Sequence, residues 1–339
     1  MAGYNPASNL VSNLPQAQAK FYDKNFYDNL KFQTPFVRVA ERRNLPLNSG
    51  NTMVFFEYPL FGANTNQSAE GTVGQGLTIT PLTNQCTIGE YSDYASFSTL
   101  ATFTAIDPVI TNVSKELAYR LGQSLSILVR TAAESVNAID SAVSAGSKSG
   151  TNTVTILDIR SATQSLAGRA VLPFDQGKNR FAGVIHPFVV GDIMNDAANN
   201  SLVDMSKHTK EGFGHLESLP GVDLEEVIDF PATGIYFHQT SLVTQTANYN
   251  GSGRVGIRTY VLGKDGVIAV DLIGAGDTNF NDGRYQSIKP LVRQNVEPSV
   301  ADMAGVIAGW TSYRIHFTTT LVPDTTGRLR YIDAVSGIS

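Results

Sequence analysis

The chain has 339 residues, 42% of them hydrophobic, with 25 Lys and Arg against 30 Asp and Glu and a net charge of −5. That length serves one large or two ordinary domains with a substantial core, and the charge excludes a basic nucleic-acid reader, since Arg42-Arg43 is the only adjacent basic pair. No apolar run of 18 residues is present to span a membrane, Met1-Ala2-Gly3-Tyr4-Asn5-Pro6 has no signal-peptide pattern, and the single Cys86 excludes an intrachain disulfide.

In chain order, residues 1–47 read as an arm. A polar start with Asn5-Pro6 and Asn13-Leu14-Pro15 leads into residues 16–32, where Phe21, Tyr22, Phe26, Tyr27 and Leu30 fall at near-helical spacing. The spacing predicts a short helix that docks aromatic rings, either on a partner or on the chain's own core. Residues 48–100 read as a long β excursion. Thr52-Met53-Val54-Phe55-Phe56-Glu57-Tyr58 is a strand pattern bounded by Asn48-Ser49-Gly50 and Pro59, and residues 87–98 form a second. The glycine-rich stretch between them makes a protruding hairpin, marginal alone in water. No Lys, Arg or His occurs between Arg43 and Lys115, whereas Glu57, Glu70, Glu90 and Asp93 do. This tongue is therefore apolar and negative, and its landing place is expected to be neutral or basic.

Residues 107–140 read as one amphipathic helix, with Ile110, Val113, Leu117, Leu121, Leu125, Leu128, Ala132, Val136 and Ile139 at steps of three or four. Asp107 suits the N-cap and Pro108 the first helical position. A rod of about 50 Å is a structural axis more than an enzyme element. A small-residue linker closes it near residue 150. Beyond it, strand and helix alternate: a helix over 155–166, a strand over 181–185, a helix from His186-Pro187 to Met194, a strand near 222–228, and one or two strands over 254–272 around Gly263-Lys264-Asp265-Gly266. Residues 273–300 are expected to be loop, with closing strands over 309–317 and 327–332.

Charged residues make up only 16% of the chain, against about 25% in typical soluble proteins. A surface largely covered by neighbouring chains has that composition; so does a secreted Thr/Asn-rich β protein. Catalytic patterns are absent. Gly274-Ala275-Gly276-Asp277 is half of a phosphate loop without a third glycine, and there is no nucleophile elbow. Cys86 lacks a nearby base to activate it. His208, Glu211 and His215 have metal-ligand chemistry, but Gly212 and Gly214 disfavour the helix that would align them. His186 reads as a helix-start residue and Trp310 as core. No catalytic residue, cofactor or metal is expected.

The order of parts, with local motifs, resembles the major capsid proteins of tailed bacteriophages with the Hong Kong 97-type fold, in particular one podophage-type coat family. The likeness rests on Phe21-Tyr22-Asp23-Lys24-Asn25-Phe26, Tyr91-Ser92-Asp93-Tyr94 followed by Thr104-Ala105-Ile106-Asp107-Pro108, Val184-Ile185-His186-Pro187, Leu219-Pro220-Gly221-Val222, Val261-Leu262-Gly263-Lys264-Asp265-Gly266, Ile288-Lys289-Pro290-Leu291 and Gly309-Trp310. The resemblance implies an α+β capsid fold with four parts. These are an N-terminal arm (1–47), an extended β loop (48–100), a peripheral domain with the spine helix (101–150 and 311–339) and an α/β axial domain (151–310).

It further implies a shell subunit of the virion, made in the bacterial host cytoplasm, forming hexamers and pentamers around packaged double-stranded DNA that it does not read. Its partners would be copies of itself, a scaffolding protein, a portal and a decoration protein, with no membrane. The arm begins near Met1, which favours a separate scaffolding protein. Some relatives weld subunits through a tongue lysine, and this tongue has none. Inter-subunit contact is expected from Phe21, Tyr22 and Phe26 of the arm and from Phe55, Phe56, Tyr58 and Phe61 of the tongue. The competing class is a metal- or nucleotide-dependent enzyme with a site in 181–290.

Overall fold

A computed structural model describes residues 34–58, 78–100, 109–135, 153–177, 179–194, 227–229, 233–272, 288–294, 306–321 and 327–337, and residues 26, 63, 65, 71 and 76 singly. The first element is a short helix, α1 (Pro35–Val39), with Pro35 at its start and four of its five residues buried. Strand β1 (Glu41–Leu45) follows and pairs in parallel with β10 (Val267–Leu272). Residues 34–45 are thus built into the body, a correction to the expectation that the arm extends to residue 47. The helix expected over 16–32 lies outside the described residues apart from Phe26, which is helical and 1% exposed.

The tongue begins as a two-stranded ribbon, β2 (Thr52–Glu57) against β3 (Leu82–Thr87), antiparallel. Its partner strand is therefore not the expected 87–98 segment. Those residues form β4 (Gly89–Ser98), which pairs antiparallel with β12 (Ile307–Leu321). The segment is long enough to serve two sheets, and the break falls at Ile88, whose N–H donates to the Asn51 carbonyl at 2.8 Å.

The spine helix, α2, runs over Val109–Glu134, 26 residues and about 39 Å. Residues 107 and 108, proposed as its cap, and residues 136–140 lie outside the described residues. Its buried stripe is Ser114, Leu117, Ala118, Leu121, Leu125, Ser126, Val129 and Ala133. The expected Leu128 and Ala132 are only partly buried. A constant step of four advances about 40° per step around a 3.6-residue helix, so the buried line winds onto Val129 and Ala133. This stripe packs against α1 and β12, and the Thr319 hydroxyl donates to the Leu128 carbonyl at 3.3 Å.

The α/β half opens with α3 (Ile156–Gly168), held by a capping box in which Asp158 accepts from the Thr155 N–H at 2.8 Å. Strand β5 (Phe181–Ile185) is wholly buried and leads into α4 (Pro187–Met194). There the His186 Nδ1 accepts the Phe188 N–H at 3.1 Å, which makes it the helix-start residue the sequence suggested. Strands β6 (Val227–Asp229), β7 (Ile235–Gln239), β8 (Gln245–Thr246) and β9 (Gly256–Leu262) follow. Strand β11 (Lys289–Gln294) occupies part of the stretch expected to be loop. The chain closes with β12 and β13 (Leu329–Val335).

Two main sheets result. One has the order β1-β10-β12-β11 with β4 also on β12; the other has the order β13-β9-β5-β7-β6 with β8 on β9. Sheet membership does not follow the expected boundary near residue 310. Strands β10 and β11 join the spine-side sheet, while β13 closes the α/β sheet beside β9. The crossing point is the tight turn Gly263–Gly266, in which Asp265 takes φ of 61°. Hydrogen-bond register, invisible in local pattern, decides which sheet each flank joins.

One buried cluster unites the spine, both sheets and α1; a satellite cluster joins Leu45, Cys86, Ile268 and Val270 with Met53, Phe55, Ile88 and Leu272. Gly183, in the middle of β5, shows how tight the main cluster is. A Cβ there would lie 2.5 Å from the Phe237 ring and 2.8 Å from the Tyr260 carbonyl oxygen. Gly183→Ala is expected to cost about 3 kcal/mol by overpacking, and a drop of several degrees in melting temperature checks it. An unchanged melting temperature would mean that β5 and β9 can part at no cost.

Candidate functional site

The described part of the tongue has two unlike faces because side chains alternate along a strand. Met53, Phe55 and Cys86 turn inward onto the satellite cluster. Val54, Phe56 and Tyr58 are 45%, 62% and 63% exposed, and Ile79 beyond the ribbon is 55% exposed. Large apolar side chains grouped outward on a ribbon are what a binding surface presents. Burial pushes the Cys86 thiol up, away from thiolate chemistry.

Three acids of this region, Glu57, Glu90 and Asp93, have basic partners within the chain. Glu57 receives the Arg328 guanidinium. Glu90 lies 3.9 Å from Arg314 and 3.6 Å from His316, and Asp93 lies 2.7 Å from Arg120 on the spine. The partners of these three acids belong to the chain itself, and Glu90 and Asp93 lie on β4 in the body, not on the ribbon.

Of the residues proposed for inter-subunit contact, Phe56 and Tyr58 stand outward. Phe55 is half-buried on the satellite cluster. Phe26 is a correction: its ring is buried in the chain's own core, 6.2 Å from the Tyr313 ring, so packing inside the subunit holds it. Phe21, Tyr22 and Phe61 lie outside the described residues, as do Gly274–Asp277 and the trio His208, Glu211 and His215. Among the described residues, no group of three His, Cys, Asp or Glu side chains could hold a metal ion, and no helix is long and apolar enough to cross a membrane.

Sequence reading missed a polar junction at the end of the spine. The Glu134 carboxylate accepts hydrogen bonds from the Tyr260 and Thr244 hydroxyls and lies 3.5 Å from the Arg258 Nη1. Arg258 forks onto Asp333 through two 2.7 Å hydrogen bonds and lies 4.2 Å over the Tyr331 ring. One turn earlier, the Arg130 Nη1 donates to the Leu242 carbonyl at 2.5 Å. The Asp333 carboxylate holds the Arg258 pKa above its ordinary value, and burial followed by the Glu134 hydrogen bond raises that of Tyr260. An acid in the last turn opposes the helix dipole, so partners on β9 compensate it. That broken local rule was the one available signal.

No family model and no curated protein matches this sequence. Solved structures do match. The chain superposes on the capsid of Ralstonia phage GP4 with a TM-score of 0.60 at 13% identity, covering 88% of this chain and 87% of that one. For the cyanophage Pam1 capsid the TM-score is 0.57 at 12% identity, over 91% and 92% of the two chains. For the cyanophage P-SCSP1u capsid it is 0.56 at 15% identity, over 90% and 89%. With its ribbon, spine helix and two sheets, the chain has the α+β Hong Kong 97-like fold of phage capsid proteins.

Proposed function

We propose that this protein is the structural subunit of an icosahedral virus shell. Many copies join head to tail into hexamers and pentamers, and these rings tile a closed container around double-stranded DNA. The reading is supported above all by a fold shared with capsid structures along about nine-tenths of each chain. Heterologous contacts close into rings when the rotation permits. Contacts that are individually modest suffice, because several engage together in an assembled ring. The outward apolar face of the tongue at Val54, Phe56 and Tyr58 is the part best suited to lie on an adjacent copy. A chain with net charge −5 would let DNA move during filling instead of pinning it through phosphate contacts. The domain roles follow the same reading: the β2–β3 ribbon and the chain between its strands extended loop, the spine-side sheet with β4 peripheral, the β5-centred sheet axial. Scaffolding, portal and decoration proteins are the partners this role calls for, with assembly in the host cytoplasm and residence in the virion.

Electron microscopy of the protein expressed with candidate scaffolding partners tests the proposal, and closed shells are the expected result. Deleting residues 62–80 is expected to leave a soluble, cooperatively folding subunit that no longer forms shells. Shell formation by the deleted chain, or its failure to fold, would remove the tongue from the mechanism. Stoichiometric zinc in the purified protein would instead favour an enzyme with a site in 181–290.

A further inference from the structure

The ribbon is tied to the body at both of its strands, and by different chemistry. On β2, Glu57 is paired with Arg328, which immediately precedes β13. The two side chains are about one-fifth exposed, so water screens the pair only partly. On β3, the Asn84 Nδ2 donates to the Thr320 hydroxyl at 2.9 Å and to the Leu321 carbonyl at 2.7 Å, where β12 ends. The Asn84 Oδ1 accepts the Gln85 N–H at 2.9 Å, which fixes the orientation of the amide. Arg328 is itself anchored, since its carbonyl accepts the Gly263 N–H at 2.7 Å, at the turn where the chain passes from one sheet to the other. Thus β3 is fixed to the last strand of the spine-side sheet, and β2 to the closing strand of the other. Between the two clamps, Met53, Phe55 and Cys86 seat the ribbon on the satellite cluster.

We infer that Glu57 with Arg328, and Asn84 with the end of β12, are positioning residues that set the direction in which the tongue leaves the subunit before any neighbour is met. The inference rests on the shell-subunit reading and adds the residues that aim the tongue. A contact segment held in its bound direction gives up less conformational freedom on association. A short polar clamp on each strand opposes pivoting, whereas an apolar seat alone is non-directional. The clamps also make the aim depend on both sheets, through the end of β12 and the residue that precedes β13.

The test uses the full chain with Cys86→Ser, Thr83→Cys and Gln123→Cys, and a spin label on each new cysteine. Thr83 is exposed on the outward face of the ribbon and Gln123 on the spine. In unassembled subunits, a single narrow distance distribution is expected. Glu57→Gln with Asn84→Ala is expected to broaden it and, in the unlabelled chain that keeps Cys86, Thr83 and Gln123, to lower the yield of closed shells at least tenfold, with the melting temperature of the body little changed. The exchange Glu57→Arg with Arg328→Glu, keeping Asn84, is expected to restore a narrow distribution and most of the shells. It also serves if the double variant folds poorly. An unmoved distribution in the double variant, or an unchanged shell yield despite a broadened one, overturns the inference. If the parent chain forms no shells while the distribution still responds, the shell-subunit reading fails and the clamp stands as a feature of the subunit alone.

Discussion

Leu125→Asp is expected to abolish folding. Leu125 is 1% exposed at the middle of the spine stripe, where the helix lies on α1 and β12. Truncating a buried leucine costs about 2–5 kcal/mol. Burying an unpaired carboxylate adds several kcal/mol more, or forces it to stay protonated. The sum reaches most of the roughly 5–15 kcal/mol that holds a typical domain together. The expressed protein should be insoluble or lack a cooperative unfolding transition. Gln123→Asp, two residues away on the exposed face, should shift stability by no more than about 0.5 kcal/mol. If Leu125→Asp yields a soluble, cooperatively melting protein, the stripe is not the axis of the core.

The second large effect is acid destabilisation centred on His238. This residue lies in β7 with no exposed surface, and neither ring nitrogen has a hydrogen-bond partner among the described residues. Burial, and secondarily the Arg38 guanidinium, push its pKa down from the usual 6.5 to about 4. The folded protein therefore holds the ring neutral, while the unfolded chain takes up a proton near pH 6.5. Stability is unaffected above that pH and is lost as pH falls from about 6.5 towards 4, by about 3 kcal/mol for this one group. Denaturant titrations of the unassembled subunit at pH 7.5 and pH 4.5 measure it. In His238→Phe the loss between those two pH values should shrink by most of that amount. An equal loss in parent and variant would show that His238 is not held neutral. Burial also lowers the pKa of His186, so a smaller acid-dependent loss should persist in the variant.

Much of the element list was legible because it rests on local rules. The four-residue apolar spacing from Leu117 to Leu125, the Thr155–Asp158 capping box, the apolar run Phe181–Ile185 and the turn Gly263–Gly266 each specify their own conformation within a few residues. Other features were not legible for lack of a local signal. Residues 82–87 carry a polar run with little strand pattern, and they become β3 because β2 offers a partner. Lys289–Gln294 contains a proline, which argues against a strand interior, yet the segment pairs along one edge of β12. At the candidate site, alternation along Thr52–Glu57 marked which rings could turn outward, but it did not say that Phe55 faces the satellite cluster and Phe56 the solvent. Aromatic spacing alone could not assign Phe26 to the core, because docking on a neighbour and docking on oneself ask for the same side chains.

The amino-acid order by itself determined the long amphipathic spine, the absence of positive charge between Arg43 and Lys115, the glycine-rich tongue and the alternation of strand and helix beyond it. Each follows from periodicity, composition or turn chemistry acting over a few residues. Only the tertiary structure decided that the chain changes sheets at Gly263–Gly266, that Glu57 meets Arg328 and Asn84 meets Thr320 across more than two hundred residues, and that Glu134 closes a polar junction with Tyr260, Thr244 and Arg258. Those pairings depend on strand register and on which buried surfaces meet, and a side chain carries no local record of a partner so distant in sequence.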